Sequence, residues 1–560
     1  MGQDVTNLVY TQHDQQHYQE KMQLCLDALG RMLVGDGFSA GPEQMGMEIE
    51  LNLVDETFDP AMANGAVLER IDDPAFQTEL GQHMIEFNVR PRPLAADEAL
   101  GLEHELRAVL NTVNDVARAA GVGLVMIGIL PTLRPEHFDQ RWMSPKLRYA
   151  LLNRQILAAR CVDLELDVEG VPLTGGQPER LQSAADSILP AAGATSVQLH
   201  LQITPGDFAA HWNAAQALAG VQVAVAANSP FLLGQALWHE TRIPLFEQAI
   251  DTRSPALRNQ GVRPRAWFGE RWINSIFDLF EENVRYFSPL LPETQDEDPL
   301  AVLAAGAAPS LSELRLHNST IWRWNRPVYD VAGGVPHLRI ENRVLPAGPT
   351  VIDVLANAAF FFGAMRGLAE LDRPVWSQLS FHAAQENFYA GARLGMDSHL
   401  YWPGVGWARP DELVLGTLLP LAHQGLRSCG MSDAARERYL TVIEQRCATR
   451  RTGASWQRKA VQTLTNRGAD RPTALAGMLR GYIEHMHSNQ PVHTWPLPGL
   501  RPQSRQGGPT FKVPPSPAGP ARVSTAARPR AASGSGPSGQ ASRTTNSAGY
   551  APPLAVRFPP

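Results

Sequence analysis

Five short stretches of the chain alternate an apolar residue with a charged or chelating one. They are Met47-Glu48-Ile49-Glu50-Leu51-Asn52-Leu53, Ile85-Glu86-Phe87-Asn88-Val89-Arg90, Asp163-Leu164-Glu165-Leu166-Asp167-Val168-Glu169, Val197-Gln198-Leu199-His200-Leu201-Gln202-Ile203 and His337-Leu338-Arg339-Ile340-Glu341-Asn342-Arg343-Val344. A period of two predicts strands that bury one face. A wet strand face ordinarily carries Thr, Lys, Ser and Gln, yet none of the five contains a lysine. Laid side by side in one sheet, their polar positions would form a field of metal ligands and anion-binding arginines. The row Asp163, Glu165, Asp167 and Glu169 fits a solvent-facing edge better than a metal site.

Between these strands the spacing of apolar residues predicts helices over 13–34, 96–120, 178–189, 209–227 and 267–286. A strand over 122–130 stops at Pro131, and Asn228-Ser229-Pro230 ends the fourth helix. Gly333-Gly334 predicts a turn joining the segment 320–329 to the fifth alternating strand. Thr350 with Asp353 reads as an N-cap and its reciprocal acid, opening an apolar helix to Leu371. From about 375 to 490 the chain is expected to be mainly helical, and throughout from 410 to 487. The fold class is therefore α+β: a sheet with helices outside it and a helical C-terminal part.

Composition changes sharply after Trp495. Residues 501–560 are rich in Pro, Gly, Ser and Ala, lack Asp and Glu, and carry eight Lys and Arg. Such a segment buries too little apolar surface to fold, which predicts a disordered basic tail over 497–560 after a single catalytic domain over 1–496. The tail suits either weak contact with an acidic partner or a neutral extension.

A net charge of −7 argues against a generally basic nucleic-acid binder. Hydrophobic residues make up 44% of the 560, enough for a large core. The four cysteines are scattered without a CxxC pair, as in a reduced cytoplasmic protein. The start Met1-Gly2-Gln3-Asp4 has no basic run leading into an apolar one, so no export signal is expected. The stretch Val351–Met365 is broken by Asp353 and Asn357, which predicts a buried helix and no membrane span.

On the first strand Glu48 and Glu50 share a face, about 7 Å apart at roughly 3.3 Å per residue. That spacing suits two neighbouring ions better than one. Glu86, His200 and Glu341 would add ligands from other strands, with Glu79 at the mouth. Arg343 shares the face of Glu341 and could grip a transferring phosphoryl group, although the two could equally be a structural ion pair. There is no GxxxxGK[ST], no GxGxxG opening a helix after a strand, no HExxH and no GxSxG. Any nucleotide would have to bind on the sheet face, through metal ions and arginines.

Taken in order, Gly46-Met47-Glu48-Ile49-Glu50, Glu79-Leu80 with Met84-Ile85-Glu86, Thr195-Ser196-Val197-Gln198-Leu199-His200 and Leu338-Arg339-Ile340-Glu341-Asn342-Arg343 resemble the glutamate–cysteine ligase family 2, carboxylate–amine ligases of the glutamine-synthetase-like superfamily. The likeness spans about residues 40 to 370. It implies a curved, mainly antiparallel sheet forming a funnel, ATP and Mg²⁺ as cofactors, and L-glutamate as substrate. It implies Glu48, Glu50, Glu79, Glu86, His200 and Glu341 as metal ligands, with Arg343 and Glu341 acting on the transferring phosphate. Arg242 and Arg253 resemble the family's substrate-side arginines. The stretch Trp322–Arg326 holds a further one; its residues do not separate Arg323 from Arg326, and Arg326 is the named candidate. The implied reaction activates the γ-carboxylate of glutamate and transfers it to an amine, L-cysteine first among the acceptors. Another amine, a kinase of the same superfamily, or a catalytically silent nucleotide-binding member are the alternatives. Only small-molecule partners are expected, with no nucleic acid or membrane, and no oligomeric state is implied.

Overall fold

The computed structural model describes residues 5–499 except 36, 39–42 and 174. From residue 500 onward the expected basic tail lies outside the described residues. The central sheet has seven strands: β1 (Gln44–Val54), β2 (Phe76–Thr78), β3 (Met84–Pro93), β4 (Gly123–Val125), β5 (Val197–Ile203), β6 (Asn325–Ala332) and β7 (Val335–Asn342). They run in the order β6-β7-β5-β1-β3-β2, with β4 on the far end of β1. Every pairing is antiparallel, and the sheet curls into a half-barrel. The β6–β7 turn is made by Gly333 and Gly334, whose φ values of 57° and 80° only glycine adopts at little cost.

Four of the five alternating stretches thus share one sheet. The fifth does not. Leu164–Glu169 pairs with Arg180–Ala185 in a separate two-stranded hairpin, where Glu165, Asp167 and Glu169 face solvent and Asp167 binds Arg180 at 2.6 Å. This corrects the helix expected over 178–189. Arg180–Ala185 is short, and the backbone bonds offered by Leu164–Glu169 decide its conformation over local spacing. The helix expected from 267 starts only at Ile276, behind a Ser275 cap, because Ala266–Trp267 pairs with Trp322–Arg323. Of the strand expected over 122–130, only Gly123–Val125 joins the sheet.

The helices that matter for the site are α1 (Leu147–Arg160), α2 (Phe208–Ala226), α3 (Arg242–Ala249), α4 (Val351–Ala369) and α5 (Phe381–Leu394). The apolar face of the sheet, including Ile49, Leu51, Phe87, Leu199, Leu201 and Ile340, belongs to one buried cluster with α2 and α4. Both helices are buried nearly all round, so they read as core helices without an amphipathic stripe. In α4, 94% of the window long and apolar enough to cross a membrane is buried in the fold. Thr350 caps it by accepting from the Asp353 amide at 3.2 Å, and the fully buried Arg446 reaches Asp353 at 2.8 Å. Where α2 meets α5, a Cβ on Gly220 would lie 2.6 Å from the Asn387 carbonyl, so the contact admits no side chain there. Residues 410–487 are mainly helical, as expected, ending in Asp433–Thr449, Gly453–Thr465 and Arg471–Ser488. This apolar scaffold leaves the opposite face of the sheet to the polar side chains.

Candidate active site

Register assembles the polar face. Glu50 of β1 stands directly opposite Glu86 of β3, and Glu48 opposite Gln198 of β5. His200 lies between Gly46 on β1 and Glu341 on β7, and Glu341 is in turn opposite Arg326 on β6. Glu79 enters from the link between β2 and β3. All six expected ligands are buried. They fall into two neighbouring groups.

In the first group, Glu50, Glu79 and Glu86 each bring an oxygen within 4.8 Å of the others. Glu50 accepts from the Ser196 amide at 2.6 Å and Gln198 Nε2 at 2.9 Å, Glu86 from Asn88 at 3.0 Å, and Glu79 from the Leu80 amide at 3.0 Å. Burial, followed by the Glu86 carboxylate, pushes Glu50 up to about 7. Burial and the two other acids push Glu79 well above the carboxylate range. Three converging, dehydrated carboxylates repel one another unless a proton or a cation sits among them. Hard oxygen donors on rigid strands fit a divalent ion of the Mg²⁺ type.

This geometry sets a pH dependence. The folded pKa of Glu50 lies above its unfolded value, so the stability it contributes is present at low pH and lost as pH rises from about 4.5 to about 7. In EDTA the expected loss is on the order of 3 kcal/mol across that window, and Mg²⁺ should largely abolish it. Urea denaturation at a series of pH values, with and without the ion, measures both. A flat metal-free profile would count against the crowded trio.

The second group is paired. His200 Nε2 lies 3.1 Å from Glu48 Oε1. Glu341 Oε2 accepts from Arg326 Nε at 3.0 Å and Nη2 at 2.6 Å, while its Oε1 accepts from Arg343 Nη1 at 2.5 Å. Arg343 also donates to Gln198. Burial would raise Glu341, but Arg326 and Arg343 outweigh it and hold the carboxyl well below its usual range. Burial of Glu48 is likewise outweighed by His200, and its pKa falls.

The arginines expected on the substrate side separate. Arg242 lines the cavity, yet its Nε binds Glu240 at 3.0 Å and its two Nη atoms bind the carbonyls of Arg343 and Val344. It thereby fixes the backbone that carries Arg343. Arg253 is held by Asp251 at 2.9 Å and by the Val262 carbonyl at 2.9 Å, and lines a different surface pocket beside Arg263 and Glu270. Of the two arginines in Trp322–Arg326, Arg326 lines the cavity. Arg323 turns away, stacked 4.2 Å from the Trp267 ring centroid and bonded to Glu282 at 3.1 Å. A residue that sequence reasoning missed joins them. Arg148, at the start of α1, also lines the cavity and donates to Ser319 Oγ at 2.8 Å. Its helical register with Leu152 and Ile156 was a legible signal.

The cavity above this face opens to solvent. Its lining combines acids and arginines with apolar side chains. Such a site can hold a cation, grip an anion beside it and exclude water from the reacting atoms. This is a candidate active site built on a sheet face.

A profile of the glutamate–cysteine ligase family 2 matches residues 44–487, and the chain belongs to that family. It is an ATP-dependent carboxylate–amine ligase. No curated protein sequence gives a significant match. Among solved structures, the chain is similar to a glutamate–cysteine ligase from Francisella tularensis in complex with AMP, at 11% identity and a TM-score of 0.47, covering 81% of this chain and 90% of that one. A bifunctional glutathione synthetase from Pasteurella multocida gives 11% identity and a TM-score of 0.46 over 83% of this chain and 55% of its own. The ligase PafA in complex with the ubiquitin-like protein Pup gives 10% identity and a TM-score of 0.31 over 78% and 71%.

Proposed function

We propose that the protein joins the γ-carboxylate of L-glutamate to an amine at the expense of ATP. The observation that carries this reading is one cavity in which the buried Glu50, Glu79 and Glu86 converge beside Arg326 and Arg343, the two arginines that Glu341 holds.

A carboxylate resists attack by an amine because its oxygen is a poor leaving group. In the proposed route a γ-carboxylate oxygen of glutamate attacks the terminal phosphorus of ATP, the bond to the bridging oxygen breaks, and ADP leaves. The amine nitrogen then attacks the carbonyl carbon of the γ-glutamyl phosphate, phosphate departs with the acyl oxygen, and the nitrogen gives up a proton. Glu50, Glu79 and Glu86 would hold Mg²⁺, which when bound neutralises phosphate charge and aligns the transfer. Glu48, His200 and Glu341 stand beside them as the remaining proposed ligands. Arg343 and Arg326 present planar guanidiniums to the moving phosphoryl or the substrate carboxylate, fixed in direction by Glu341. Arg242 acts from behind, through the backbone of Arg343.

Incubation with ATP, Mg²⁺ and L-glutamate, with and without a mixed amine pool, tests the reading by ADP release and product mass. Release that requires both glutamate and an amine, with a γ-glutamyl amide as product, is the expected result. A stable phosphorylated product formed without amine would point to a kinase. Nucleotide binding without turnover would point to a silent member.

A further inference from the structure

The apolar part of the cavity lining points to the acceptor: we infer that it is an α-amino acid with a bulky apolar side chain, its carboxylate held at Arg148 and Ser319. This rests on the ligase reading above.

Three elements build that part of the lining. Helix α1 supplies Leu152 and Ile156, the turn before β5 supplies Ile188 and Ala191, and Phe246 and Ile250 come from α3 and the residue after it. Leu152, Ile156, Ile188, Ala191 and Ile250 are all buried, so this part of the lining is tightly packed. Arg148 and Ser319 line the same cavity, and Arg148 donates to Ser319 Oγ at 2.8 Å. Arg148, Leu152 and Ile156 follow one another at four-residue spacing on α1, which places them on one face in steps of about 6 Å. A charged group at the first turn is thus followed by two apolar ones. An amino acid bound along this stripe sets its carboxylate at Arg148 and its side chain against Leu152 and Ile156. The neighbouring Tyr149 hydroxyl donates to the Thr78 carbonyl at 3.2 Å, one residue before Glu79, so this end of α1 abuts the acid trio. The acceptor nitrogen is thereby brought close to where the activated carbonyl would form.

Cysteine fits this wall poorly. Its side chain is short and makes little contact with such a lining, whereas each further methylene buried strengthens binding about fourfold.

The test measures kcat/KM for L-leucine, L-phenylalanine, L-cysteine, glycine and isopentylamine, each with ATP, Mg²⁺ and L-glutamate. Leucine or phenylalanine should exceed cysteine and glycine by about 10- to 100-fold, and isopentylamine, which lacks the carboxylate, should be poor. Ala191→Leu shortens the chamber. It should cost leucine and phenylalanine at least tenfold while sparing cysteine and glycine, an inversion that misfolding cannot produce. Arg148→Met should raise KM for leucine at least tenfold and leave KM for isopentylamine and for ATP unchanged. Cysteine or glycine as the best acceptor would overturn the inference and leave the ligase reading standing. A rise in KM for ATP alone in Ala191→Leu would overturn it too, by assigning the wall to the nucleotide base. No turnover with any amine would overturn both readings.

Discussion

Glu341→Gln is expected to stop turnover and weaken the fold together. The carboxylate is 1% exposed and receives two bonds from Arg326 and one from Arg343. An amide there leaves two guanidiniums facing a neutral group, and breaking a buried pair on one side costs on the order of 3 kcal/mol. The arginines would also lose the partner that aims them, so ADP release should fall by about 10³-fold. Urea denaturation and an ADP-release assay read the two effects separately. The stability that Glu341 contributes is present above the usual carboxylate range, because its folded pKa is depressed, and is lost as pH falls below that range. Normal turnover in a folded Glu341→Gln protein would remove this residue from the proposed machinery.

Glu86→Gln should do the opposite to stability while also abolishing activity. Glu86 faces Glu50 across the β1–β3 ladder and lies within the 4.8 Å trio. Neutralising it relieves repulsion among buried carboxylates, so the metal-free variant should be more stable than the parent by about 1–2 kcal/mol. The parent should gain about 3 kcal/mol from Mg²⁺ at a hundred times its Kd, and the variant little or nothing. Thermal melts of both proteins in EDTA and in Mg²⁺ measure this. A variant that melts below the parent in EDTA and responds equally to Mg²⁺ would show that the trio holds no ion. A residue whose removal stabilises the protein and silences it is one kept for chemistry.

The alternating pattern made four strands of the central sheet legible, because a strand that buries one face must place every second residue in the core. Ile49, Leu51, Phe87, Leu199 and Ile340 satisfy that demand, and the opposite parity then puts Glu48, Glu50, Glu86, His200 and Glu341 on the other face. The same pattern was indifferent to location. Asp163–Glu169 alternates equally well, yet belongs to a separate hairpin with its acids in water. Nor could spacing separate strand from helix over 180–185, where a partner strand settled the matter.

Which residues bury a face was therefore written in the sequence, along with the chemical types on the other face and the family they resemble. Only the tertiary structure decided who meets whom. It placed Glu79 against Glu50 and Glu86, gave Glu341 to Arg326 and Arg343, sent Arg253 to another pocket, and brought Arg148 into the cavity from a helix the sequence had not singled out. The physical reason is one of range. Periodicity reports a residue's own burial, a local property of the strand or helix, whereas electrostatic partnership depends on register between segments far apart in the chain.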